Sequence, residues 1–118
     1  PGLTPRLAEA AIAAGVAFLP GTANAGDIML GLDFGLSRFK FFPAEQLGGA
    51  TAIKSLGAPL AAARFCPTGS ITPEKAPAYL ALKNVLCVGG SLIAPAEDIK
   101  AGDWASIEAA AKRAVALR

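Results

Sequence analysis

Histidine is absent from all 118 residues, and its absence removes whole classes of mechanism. A Ser-His-Asp triad, a Cys-His nucleophile and a His-ligated zinc site are excluded, which leaves Lys, Asp, Glu, Tyr or water for acid–base work. Cysteine is scarce too: Cys66 and Cys87 lie 21 positions apart without Cys-x-x-Cys spacing, and they read as small buried hydrophobes, not metal ligands. No metal site is expected. A concentration of one charge is also missing. The net charge is +2, and Arg6, Arg38, Lys54, Arg64, Lys75, Lys83, Lys100, Lys112 and Arg113 are scattered, so no basic stripe interleaved with aromatics marks a nucleic-acid partner. No apolar run reaches the roughly 18 residues that cross a bilayer, and Pro1-Gly2-Leu3-Thr4 lacks the basic start of a secretory signal. No membrane partner is expected, and the expected location is cytoplasmic.

What is present is a compact globular composition, 53% hydrophobic and 17% charged, with length for one domain over residues 1–118. Four short apolar runs recur at 16–20 (Val-Ala-Phe-Leu-Pro), 38–43 (Arg-Phe-Lys-Phe-Phe-Pro), 63–67 (Ala-Arg-Phe-Cys-Pro) and 85–89 (Val-Leu-Cys-Val-Gly). Their starts are 22, 25 and 22 residues apart, and each is followed by a Gly, Pro, Thr or Ser turn and a segment of helical periodicity. This is the βα repeat of a parallel sheet or barrel.

The helical segments are read from apolar spacing and caps. Leu3, Leu7, Ala11 and Ala14 share one side of a helix over about 4–14. Ala25, Ile28, Met29 and Leu32 predict a second helix, which Gly35 can end in a left-handed turn. Ala50, Ile53 and Leu56 predict a third, before Gly57. Thr72 before Pro73 supplies a capping hydroxyl for a helix carrying Ala76, Tyr79 and Leu80, and Asp103 caps a last helix carrying Trp104, Ile107, Ala111 and Ala114. Trp104 reads as core packing. The first helix has no strand before it, so the chain is expected to open at the C-terminal lip of a strand it lacks. The expected fold is α/β: four parallel strands with helices, half of a (β/α)8 TIM barrel.

Within this plan Lys40 is the residue that points to chemistry. It lies among Phe39, Phe41 and Phe42 in a run read as a buried strand. Burial disfavours the charged form of a lysine and frees its amine lone pair, the requirement for Schiff-base attack on a carbonyl. The plainer reading, a lysine guarding a sheet edge, would set half of the six phenylalanines around a solvated charge. Strand alternation puts Arg38, Lys40 and Phe42 on the barrel interior, with Phe39 and Phe41 toward the helices. It likewise groups Arg64, Cys66 and Thr68.

Ligands in βα folds bind at the C-terminal ends of the strands. Here those ends read Pro20-Gly21-Thr22, Phe42-Pro43-Ala44-Glu45, Thr68-Gly69-Ser70 and Gly89-Gly90-Ser91. The last two are Gly/Ser turns suited to holding a phosphate through backbone N–H groups, so a phosphorylated substrate is expected. Each could also be ordinary turn chemistry; their placement on adjacent last strands favours a site.

The strings Pro1-Gly2 with Thr4, Leu19-Pro20-Gly21, Phe39-Lys40-Phe41-Phe42-Pro43-Ala44-Glu45 with Gly48-Gly49, Arg64-Phe65-Cys66-Pro67-Thr68-Gly69 and Leu86-Cys87-Val88-Gly89-Gly90-Ser91 together resemble the 2-keto-3-deoxy-6-phosphogluconate (KDPG) aldolase and 4-hydroxy-2-oxoglutarate (KHG) aldolase family. The resemblance implies the C-terminal half of the subunit, with Lys40 as the Schiff-base lysine. It implies that Phe42 and Pro1 line the pyruvate side, and that Gly69, Ser70, Gly90 and Ser91, with Thr68 beside them, form the phosphate site. The family usually reads Thr-Gly-Gly where this chain has Thr68-Gly69-Ser70. Ser70 can supply its N–H there if the loop needs no positive φ. Glu45 does not correspond to the family's acid/base glutamate. It is expected to favour the start of the next helix electrostatically, while the acid/base glutamate and the carboxylate-binding arginine and threonine come from the other half of the barrel.

The implied activity is class I cleavage of KDPG to pyruvate and glyceraldehyde 3-phosphate in the Entner–Doudoroff pathway, without metal or cofactor, by a subunit that is a homotrimer when complete. The alternatives are KHG or 2-keto-3-deoxy-6-phosphogalactonate cleavage, or a non-catalytic phosphate-binding half-barrel.

Overall fold

The chain enters its first helix through Thr4, whose hydroxyl accepts from Leu7 N–H (3.3 Å) ahead of Pro5 at the first helical position. A computed structural model describes residues 2–91 and 93–117. Helix α1 spans Pro5–Ala13, strand β1 Gly21–Thr22, α2 Ala25–Asp33, β2 Arg38–Phe41, α3 Gly49–Gly57, β3 Arg64–Pro67, α4 Ala76–Leu80, α5 Ala96–Ala101 and α6 Trp104–Val115. The sheet is parallel in the order β1-β2-β3, with Lys40 opposite Gly21 on one side and Cys66 on the other.

One face of this sheet makes the core. Phe39, Phe41 and Phe65 are fully buried with Ile28 of α2, Ile53 of α3 and Tyr79 of α4. Phe65 meets Phe41 edge-on with ring centroids 6.2 Å apart, and Phe39 at 6.3 Å. Helix α2 closes on β2 at Gly31, where a Cβ would lie 2.3 Å from the Phe39 ring. Arg38, Lys40 and Phe42 face the other way, half-buried or exposed, as alternation predicts. Among the described residues no helix is long and apolar enough to cross a membrane.

The expected four βα steps are present in altered form. The first strand falls at Gly21–Thr22 and not at 16–20. Its register sets Gly21 beside Lys40, so the start of β2 at Arg38 lies opposite Leu19, and residues before that have no strand on that side. The fourth run pairs with β3 only through isolated bridges, Phe65 with Val85 and Thr68 with Gly89. The offset between partners rises from 20 to 21 across this stretch. Pro67 has no N–H with which to continue the ladder, and one extra residue is accommodated on the fourth segment as in a bulge. Val85 and Val88, three apart, consequently both pack on the core.

Two further expectations differ. Thr72 does not cap α4 directly: its carbonyl accepts from Lys75 N–H and Ala76 N–H (both 3.0 Å), and the helix begins at Ala76. Trp104 is 64% exposed, so the stripe it starts on α6 is not buried within this chain. Gly35 ends α2 with a positive φ of 75°, as anticipated.

Candidate active site

The residues singled out at the strand ends converge. Lys40 and Phe42 from the second βα step, Thr68, Gly69 and Ser70 from the third, and Gly89, Gly90 and Ser91 from the fourth line one open cavity of about 490 Å³. Pro1, the remaining expected contact, lies outside the described residues; the carbonyl of its neighbour Gly2 accepts from Gly21 N–H at 3.2 Å, at the first residue of β1. Lys40 is half-buried, not fully buried as its aromatic setting suggested. The buried rings are Phe39 and Phe41 on the opposite face of β2, whereas Phe42 shares the open face. The Lys40 ammonium stands 5.3 Å from the Phe42 ring centroid, close enough for a cation–π attraction. Gly21, its partner on β1, contributes no side chain.

Two glycines of the cavity wall sit where a Cβ would be crowded. Gly69 has φ 117°, and a Cβ on it would lie 3.1 Å from Ala44 N; a Cβ on Gly89 would lie 2.6 Å from Thr68 Oγ1. Ser70 takes φ 56°, so the loop does need a positive φ at this position, contrary to the condition under which serine would be cost-free. Ala44 N–H donates to Thr68 O (2.9 Å) and Glu45 N–H to Gly69 O (3.4 Å), which commits those two carbonyls. Among the described residues, the N–H groups of Ser70, Gly90 and Ser91 donate to no backbone carbonyl. A set of uncommitted N–H groups beside a lysine can bind an anion.

Glu45 does something other than charge a helix end. Its carboxylate accepts from the Tyr79 hydroxyl and pairs with Lys75, fastening the turn after β2 to α4. The Lys75 and Tyr79 hydrogen bonds hold its carboxyl below the usual carboxylate range, while burial and then Glu45 push the Tyr79 phenol up. Neither Lys75 nor Tyr79 is recognisable from sequence as a partner 30 or 34 residues away. Gln46 is also new: its Nε2 donates to Ser70 Oγ at 3.2 Å.

A larger cavity of about 570 Å³ lies between α4, α6 and the fourth segment. Its walls are mainly alanine and aliphatic side chains, with Thr72, Cys87 and Arg113. The smaller cavity is the one that gathers the residues singled out from the sequence.

The site thus consists of a parallel βα sheet that presents a lysine and two Gly/Ser turns at its C-terminal edge. The family model described as KDPG and KHG aldolase matches residues 1–110, and the chain belongs to that family. It is 54% identical over 118 residues to the 2-dehydro-3-deoxy-phosphogluconate aldolase of Zymomonas mobilis, covering all of this chain and 55% of the relative. A Zymomonas mobilis KDPG aldolase structure with 3-phosphoglycerate superposes with a TM-score of 0.92 at 54% identity, over 100% of this chain and 55% of that one. A Legionella pneumophila KDPG aldolase with pyruvate captured as a covalent carbinolamine gives a TM-score of 0.90 at 40% identity, over 93% and 53%. The chain thus spans about half the length of the relatives it matches. That share fixes a length and not an order along the subunit, so it does not bear out the expected C-terminal half.

Proposed function

We propose that this chain is the lysine-bearing part of a class I aldolase that cleaves KDPG to pyruvate and glyceraldehyde 3-phosphate, with its βα steps completed to a (β/α)8 barrel by the rest of the subunit. The observation that carries the proposal is the joint position of Lys40 and the two Gly/Ser-bearing segments, 68–70 and 89–91, around one cavity. The Lys40 amine adds to the keto carbon, and the resulting carbinolamine loses water to give an iminium. The iminium accepts the electrons of the breaking C3–C4 bond while the C4 hydroxyl loses its proton. The aldehyde phosphate leaves, the enamine takes a proton at C3, and hydrolysis frees pyruvate and Lys40.

The backbone N–H groups of Ser70, Gly90 and Ser91 would hold the phosphate, with Gly69 shaping the loop and Thr68 at its start. Phe42 would line the pyruvate side. The acid/base carboxylate is taken to lie elsewhere in the subunit, because Glu45 is committed to Lys75 and Tyr79. A positioned acid/base contributes about 10²- to 10⁴-fold, so Lys40 without it would form the imine and turn over slowly. By resemblance the complete subunit is a cytoplasmic homotrimer, which sedimentation of the full-length protein tests.

Cleavage assays rank the substrates. KDPG should exceed unphosphorylated KHG in kcat/KM. Equal values would remove the assigned phosphate site, and no cleavage of any 2-keto-4-hydroxy acid by the complete subunit would defeat the proposal.

A further inference from the structure

The turn that follows the lysine strand is joined to the loop after β3 residue by residue. Ala44 N–H donates to Thr68 O, Glu45 N–H to Gly69 O, and at the next step the Gln46 side-chain amide donates to Ser70 Oγ at 3.2 Å. Ser70 holds a left-handed conformation, φ 56°, which a residue with a Cβ adopts only when something fixes it. A serine hydroxyl has one proton to give and two lone pairs. With the Gln46 amide directed at a lone pair, the Ser70 proton remains available for donation, and Ser70 lines the Lys40 cavity.

We propose that Gln46 is a positioning residue: by donating to Ser70 Oγ it fixes the Ser70 hydroxyl as a hydrogen-bond donor to the anionic end of a phosphorylated substrate. The inference rests on the aldolase reading and adds to it a side-chain donor and the residue that aims it. Gln46 is exposed, so its replacement by alanine leaves the core intact.

The test compares Gln46→Ala, Ser70→Ala and the double variant in the complete subunit, using KDPG and unphosphorylated KHG as substrates. Gln46→Ala should raise the KM for KDPG roughly three- to tenfold, the scale of one hydrogen bond, with kcat and the KM for KHG within about twofold of the parent. The double variant should be no weaker toward KDPG than Ser70→Ala alone, because Gln46 acts only through Ser70. An unchanged KM for KDPG, equal losses on both substrates, or additive penalties would each overturn the inference. Borohydride trapping with pyruvate keeps the two ideas apart: absence of a Lys40 adduct in the parent protein sinks the aldolase reading, whereas an intact adduct with an unaltered KDPG KM in Gln46→Ala sinks this inference alone.

Discussion

The Lys40 ammonium lies 5.3 Å from the centre of the Phe42 ring, two residues further along the chain on the same open face. The ring attracts a cation there, and both the free ammonium and the iminium formed with pyruvate are cations, so the attraction largely cancels between them. Phe42→Leu, which keeps an apolar wall, should change the equilibrium yield of trapped adduct by less than about threefold. A tenfold or greater loss in the trapping yield would show that the ring does more than lie beside a conserved charge.

Glu45 should make stability pH-dependent in acid. Its folded-state pKa is depressed, first by the Lys75 hydrogen bond and then by Tyr79. A depressed carboxylate contributes stability above its unfolded value, near 4.5, and loses it as pH falls through the lower folded value. The urea midpoint should therefore fall below about pH 4.5 more steeply in the parent than in Glu45→Gln. Identical acid profiles for the two proteins would remove Glu45 from the account.

Neighbouring loop residues differ sharply in what they tolerate. Gly69→Ala adds a Cβ at φ 117° against the Ala44 backbone nitrogen, and should cost about 2 kcal/mol or more. Ser70→Gly relieves a left-handed serine but gives up the Gln46 bond and gains unfolded-state entropy, so its net effect should stay within about 1 kcal/mol. Chemical denaturation of both variants checks the contrast, and similar costs would contradict it.

Thr22 is 1% exposed, and its hydroxyl has no hydrogen-bond partner among the described residues. Thr22→Val replaces an unsatisfied polar atom by a methyl of the same shape and should be neutral or stabilising by about 1 kcal/mol. A loss above about 1 kcal/mol in thermal unfolding would show that the hydroxyl is bonded after all.

The second and third βα steps were legible because their signals are local: alternation around Lys40 and Cys66, apolar periodicity in 25–32 and 50–56, and glycine at helix ends. The grouping of the candidate site was legible for a related reason: its Gly/Ser turns sit at the strand ends, where βα folds bind ligands. What escaped depends on pairing between distant segments. The displacement of β1 follows from its register against β2, and the interrupted fourth segment from Pro67 on the neighbouring strand. The partial exposure of Lys40 arises because Phe39 and Phe41 turn into the helix layer, leaving only Phe42 beside it. The Glu45 and Gln46 contacts span 24 to 34 residues and leave no periodic trace. Helix α5 carries local signals of its own: Glu97 and Asp98 in its first turn, and Gly102 at φ 67° after its end.

Identification of the residue modified when the complete subunit is treated with pyruvate and borohydride tests the central claim most directly. The account predicts one reduced pyruvyl adduct, mapped by peptide mass spectrometry to Lys40 and lost in Lys40→Met. Absence of an adduct, or an adduct on another lysine that survives Lys40→Met, would contradict it.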